Sequence, residues 1–152
     1  MNQDEIQKLT DRLRRLCSRR EYCVSDVRKK AMTALEGDSE AAENVVSALV
    51  AEKYVDDLRY ATAYAREKAM ISGGGETKIR YMLSGKRIDR SLVDQALTEI
   101  DTDKADSRLR KLLENKAKTL KADPQIRLKL LRFALGRGYQ YDDVVRVLQD
   151  IL

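Results

Sequence analysis

Apolar positions along this chain recur at spacings of three and four, the period of one face of an α-helix. Ile6, Leu9, Leu13 and Leu16 form the first stripe. Val24, Val27, Ala31 and Leu35 form a second, closed by Gly37, and Val46, Leu49 and Val50 line a third that opens near Asp38 or Ser39. A fourth opens at Asp56-Asp57 and carries Tyr60, Ala61, Tyr64, Ala65 and Ala69. It stops at Gly73-Gly74-Gly75, a run that cannot sustain a helix. Ile79, Met82 and Leu83 mark a fifth segment that breaks near Gly85. Val93, Ala96, Leu97 and Ile100 mark a sixth, capped by Asp89 or Ser91. Leu109, Leu112, Leu113 and Leu120 lie on a long basic seventh, with Asp103 as its cap. Asp123-Pro124 reads as the N-cap and first residue of an eighth, whose stripe is Leu128, Leu131 and Leu135 and whose end is Gly136 and Gly138. Asp142 opens a ninth with Val144, Val145, Leu148 and Ile151. No segment alternates with period two, so the pattern predicts an all-α fold of about nine helices.

The segments group in threes. Lys78 through Leu97 aligns with Lys129 through Leu148 at a shift of 51 residues, matching Gly85 to Gly136, Ile88 to Tyr139 and Val93 to Val144. The front third aligns less well, with Val45 and Leu49 matching Val93 and Leu97 at a shift of 48. Such a period predicts an elongated array of three tandem three-helix modules, spanning 1–55, 56–102 and 103–152. Each is too small to bury its apolar face alone and stacks on its neighbour.

Composition agrees with helices: aromatic residues are only 5%, with one Phe and no Trp, so the core must be aliphatic. No apolar run approaches the roughly 20 residues of a membrane span. The polar, acidic start Met1-Asn2-Gln3-Asp4-Glu5 does not read as a signal peptide, so a cytoplasmic location is expected. Cys17 and Cys23 stand six apart in a chain without histidine, which excludes metal-finger spacing and reads as two free thiols. Net charge is +5, but uneven: −2 over residues 1–58, +1 over 59–107 and +6 over 108–152. A basic back half suits a polyanion or an acidic protein surface.

Catalytic equipment is missing. Without histidine there is no Ser-His or Cys-His pair, and no phosphate-binding G-x-x-x-x-G-K-[ST] loop occurs. Gly73-Gly74-Gly75 reads as a tight connection. The carboxylate pairs Asp56-Asp57 and Asp142-Asp143 precede apolar periodic segments, where Asp caps backbone N–H groups. No cofactor and no metal ligand set is expected, and no enzyme activity. Basic residues instead recur at comparable module positions: Arg66, Lys68, Lys78, Arg80, Lys86 and Arg87 in the second module, and Lys129, Arg132 and Arg137 in the third. Aligned on one face, they would bind phosphates or an acidic groove.

The tract Tyr54-Val55-Asp56-Asp57-Leu58-Arg59-Tyr60-Ala61 resembles the RecX family. The likeness continues through Tyr64-Ala65-Arg66, the glycine turn, Lys78–Leu83 and Lys86-Arg87-Ile88, and reappears in Leu131–Tyr139 and Val144–Leu148. It covers the chain from about Leu13 onward. Two features depart from the family pattern. Arg87 stands where the family usually has glycine, and the region Glu36–Glu43 is expanded and acidic. The resemblance implies a curved array of three-helix modules that engages the RecA nucleoprotein filament; a monomer is expected. It implies inhibition of ATP hydrolysis, strand exchange and co-protease activity, and so a part in DNA repair, recombination and the SOS response. Some family members also bind single- or double-stranded DNA. The alternatives from the residues alone are a basic nucleic-acid-binding array that acts without RecA and a helical adaptor for an acidic protein segment.

Overall fold

A computed structural model describes residues 2–152 of the protein. Among the described residues there are nine α-helices and no strand. They are α1 (Gln3–Arg19), α2 (Val24–Ala34), α3 (Ser39–Ala51), α4 (Asp57–Glu67), α5 (Glu76–Gly85), α6 (Arg90–Thr98), α7 (Thr102–Lys118), α8 (Ile126–Gly136) and α9 (Tyr141–Ile151). One wide π turn, Lys68–Ser72, prolongs α4. The fold is the tandem array of three-helix modules that the spacing predicts.

Three separate apolar cores hold the array together. Leu9, Leu13, Val27, Ala31 and Leu49 sit in the first, formed by α1–α3. Ala61, Ala65, Ala69, Ile79, Leu83, Val93 and Ala96 sit in the second, formed by α4–α6. Its alanines let α4 lie directly against α6. Leu109, Leu113, Leu130, Ala134, Val144 and Leu148 sit in the third, formed by α7–α9. Cys23, at the N-cap of α2, is fully buried, and it belongs to the second core rather than the first.

Helix starts follow capping chemistry, with some shifts from expectation. Asp38 accepts the Ala41 N–H at 3.1 Å and Asp56 accepts that of Arg59 at 2.9 Å. The cap of α7 is Asp101, two residues before Asp103; its carboxylate accepts from the N–H groups of Asp103 and Lys104. Asp123 and Pro124 lie in a turn before α8, which begins at Ile126, and Asp123 accepts the Gln125 N–H at 2.8 Å. Gln140 precedes α9, so Asp142 and Asp143 lie within its first turn and complement its dipole.

The buried stripe of α8 also differs. Leu128 and Leu135 are each 41% exposed, and the helix buries Leu130 and Ala134 instead. Of the expected stripe only Leu131 packs against the third core, because leucines at 128, 130, 131 and 135 leave the period unable to fix which side of the helix is buried. In α3, Val50 likewise faces outward.

Candidate interface at the seam of the second and third modules

The seam between modules two and three is closed by backbone on backbone. The Gly75 N–H donates to the Arg137 carbonyl at 2.9 Å, and the Thr77 N–H donates to that of Gly138 at 3.1 Å. No side chain fits between them. A Cβ on Gly75 would stand 2.3 Å from Gly138 backbone atoms, and one on Gly138 would stand 2.3 Å from the Lys78 Cβ. The glycine turn is thus a docking point as well as a helix stop. Gly73 ends the π turn in the left-handed region at φ +82°.

This contact brings three predicted basic residues together. Lys68, Lys78 and Arg137 line one cleft of about 210 Å³, with Tyr64, Ser72 and Gly74 beside them. Lys68 lies over the Tyr64 ring at 5.7 Å and 3.8 Å from Glu67. Arg137 stacks on Phe133 with its guanidinium 5.0 Å from the ring centre. Among the described residues no carboxylate lies within 4.0 Å of Lys78 or Arg137. Of the three cations, Lys78 and Arg137 therefore keep their charge unpaired, while Lys68 shares its own with Glu67.

The other six residues fare differently. Arg80 donates to Glu76 at 3.1 Å and to Asp94 at 2.6 Å. Lys129 donates to Asp123 at 2.5 Å, and Arg66 lies 3.6 Å from Glu99. Lys86 sits at the other seam, between modules one and two, where it donates to Asp26 at 2.8 Å. Ser25 donates to the Lys86 carbonyl there, and the Val24 N–H donates to Asp57. Burial raises the Asp26 carboxyl, but its bonds with Lys86 and Cys23 outweigh that and hold it below the ordinary carboxylate range. Arg87 and Arg132 are exposed and have no carboxylate within 4.0 Å among the described residues. Arg87 adopts φ +58° at the position that Gly138, at φ +89°, occupies one repeat later.

Asp57 is not a second cap of its own helix; it caps α2 across the module boundary at 2.8 Å. Tyr60 and Tyr64 are half-buried and stacked, with ring centres 6.3 Å apart, while Tyr81 is 77% exposed. Cys17 and Cys23 are both free thiols. No group of three or more Cys, Asp and Glu side chains among the described residues is arranged to hold a metal. No helix among them is long and apolar enough to cross a membrane.

Sequence reasoning missed Lys104, Arg108 and Lys111 as site candidates. Their spacing of four and three puts them on one face of α7, and that much was visible. That α7 packs against the π turn was not.

Residues 56–97 match the family model described as RecX, second three-helix domain, and residues 104–148 match RecX, third three-helix domain. The Regulatory protein RecX of Vibrio parahaemolyticus is 36% identical over 132 residues, covering 85% of this chain and 82% of that protein. That of Clostridium tetani is 32% identical over 119 residues, and there the chain spans only 54% of the relative's length. A crystal structure of RecX from Lactobacillus salivarius superposes with a TM-score of 0.83 over 97% of both chains at 21% identity, a likeness of fold. With two of its three modules matched by family models and a relative aligned over most of both lengths, the chain belongs to the RecX family.

Proposed function

We propose that this protein regulates the RecA recombinase by seating on its nucleoprotein filament and inhibiting ATP hydrolysis, strand exchange and co-protease activity. The observation that carries the reading is the cleft at the module seam. Lys68, Lys78 and Arg137 come from two modules, yet meet within one cleft of about 210 Å³. An array whose modules, at 1–55, 56–102 and 103–152, each contact the filament would bridge neighbouring subunits and resist their relative motion. It acts as a cytoplasmic monomer and does no chemistry of its own. Family membership supports a regulatory rather than a catalytic role.

The test is RecA ATPase on single-stranded DNA with substoichiometric protein. The Lys78→Glu/Arg137→Gln double variant should lose inhibition at least tenfold while keeping its unfolding midpoint. Equal inhibition by wild type and variant would remove the cleft from the interface. A second reading, a nucleic-acid-binding array that works without RecA, draws on the +6 charge of residues 108–152. It requires DNA affinity without RecA that falls steeply with salt.

A further inference from the structure

On the other side of the π turn lies a surface of different character. Ile71 is 67% exposed, the most exposed large aliphatic side chain among the described residues. With half-buried Met70 it forms one wall of a shallow groove of about 450 Å³. Lys104, Arg108 and Lys111 of α7 form the other wall. None of the three has a carboxylate within 4.0 Å among the described residues. The nearest acidic residue along α7 that is paired, Asp106, goes to Arg146 instead, at 3.6 Å. Asp103 is the one carboxylate on the groove's rim, so the wall keeps an excess of positive charge. The Arg108 Nε is buried with no acceptor. π turns are rare and frequently stand at functional sites, and this one turns an isoleucine outward beside three cations.

We infer that this groove docks an acidic protein segment that sets an apolar side chain against Met70 and Ile71 and its carboxylates against Lys104, Arg108 and Lys111. Apolar and cationic walls facing one another call for both features in one partner. A phosphodiester chain has nothing to cover an exposed isoleucine, and single-strand binders stack bases on aromatic rings, which this groove lacks. The inference concerns a different set of residues from the cleft, and rests on the regulatory reading only in naming the filament as one source of such a segment.

The probes are a short peptide of alternating Glu and Leu, the same peptide with Ser for Leu, a single-stranded oligonucleotide, and the RecA filament. The Glu–Leu peptide should bind, and Ile71→Ser should weaken it about tenfold, the discrimination expected for one lost apolar contact. Lys104→Glu/Lys111→Glu should weaken it by a factor that shrinks at high salt. Neither variant should shift the unfolding midpoint, since all three side chains are exposed. The peptide should also compete for filament binding. Ile71→Ser binding both peptides as wild type does would overturn the inference. So would oligonucleotide affinity that depends on Lys104 and Lys111 while the peptide does not bind, or loss of self-association as the sole effect of Ile71→Ser. A filament that fails to bind the wild-type protein overturns the regulatory reading alone, because the peptide arms still decide the groove.

Discussion

Gly75 and Gly138 face each other with room for no atom between their backbones: a Cβ on Gly75 would lie 2.3 Å from the Gly138 carbonyl carbon. Gly75→Ala must therefore push modules two and three apart or break the bonds to Arg137 and Gly138. We expect a loss of about 2–4 kcal/mol in urea unfolding, the scale of overpacking plus a broken hydrogen-bond network. Gly85→Ala is the control, because nothing lies within 4 Å of a Cβ there and the residue is helical. It should stabilise by about 0.5–1 kcal/mol. Equal effects of the two would show that the seam is not closed by glycine.

Arg87 carries backbone strain that Gly138 avoids in the next repeat. Arg87→Gly should stabilise the fold by up to about 1 kcal/mol in the same assay, since a left-handed non-glycine residue costs roughly 1–2 kcal/mol and glycine returns part of that as unfolded-state entropy. A concurrent loss of RecA inhibition would show that the guanidinium is kept for contact despite the strain.

The ion pair of Asp26 with Lys86 ties stability to pH. Asp26 is held below its ordinary value of 3.8, so its contribution is present above that pH and is lost as the pH falls through its folded pKa. Lys86 is raised above 10.5, so its share is present below that value and is lost as the pH rises through its folded pKa. Burial pushes Asp57 up despite the Val24 N–H it accepts, so Asp57 has the opposite sign and offsets part of the acid loss. Unfolding midpoints measured from pH 6 to 3 should fall less steeply for Lys86→Met than for wild type. They should fall more steeply for Asp57→Asn, which keeps an acceptor for Val24.

Leu130 and Leu128 sit two residues apart with opposite exposure. Leu130→Ala, at a fully buried site, should cost about 2–5 kcal/mol, and Leu128→Ala well under 1 kcal/mol. The reverse order in denaturant unfolding would put the α8 stripe back where the sequence alone placed it.

Charge reversal at Arg80 and at Lys78 should separate structure from contact. Arg80 bridges Glu76 and Asp94, so Arg80→Glu sets three carboxylates together and should lower the thermal midpoint. Lys78→Glu should leave the stability within about 0.5 kcal/mol of wild type. Only the second variant reports on the partner.

Much of this was legible in the sequence, for reasons that differ by residue. Helix number and type followed from period, because residues such as Leu9, Leu13, Ile79 and Leu83 have one side to hide. The repeat was legible through Gly85 and Gly136. The facing of α8 was not, since with leucine at 128, 130, 131 and 135 the period no longer selects a side. Nor could the sequence say which basic residues stay unpaired. Glu76 is four residues from Arg80, but Asp94 is fourteen away and Asp26 is sixty from Lys86. Only the folded chain decides that Lys78 keeps its charge while Lys86 spends it on a seam.

Cys23 comes from the first module yet fills the second core, beside Ala61 and Ala65. The middle module is thus a socket whose plug precedes it in the chain. A ribosome that releases the N-terminus first delivers the plug before the socket exists, and α4 through α6 close around a piece already waiting. A fragment beginning at Asp56 would close around a void.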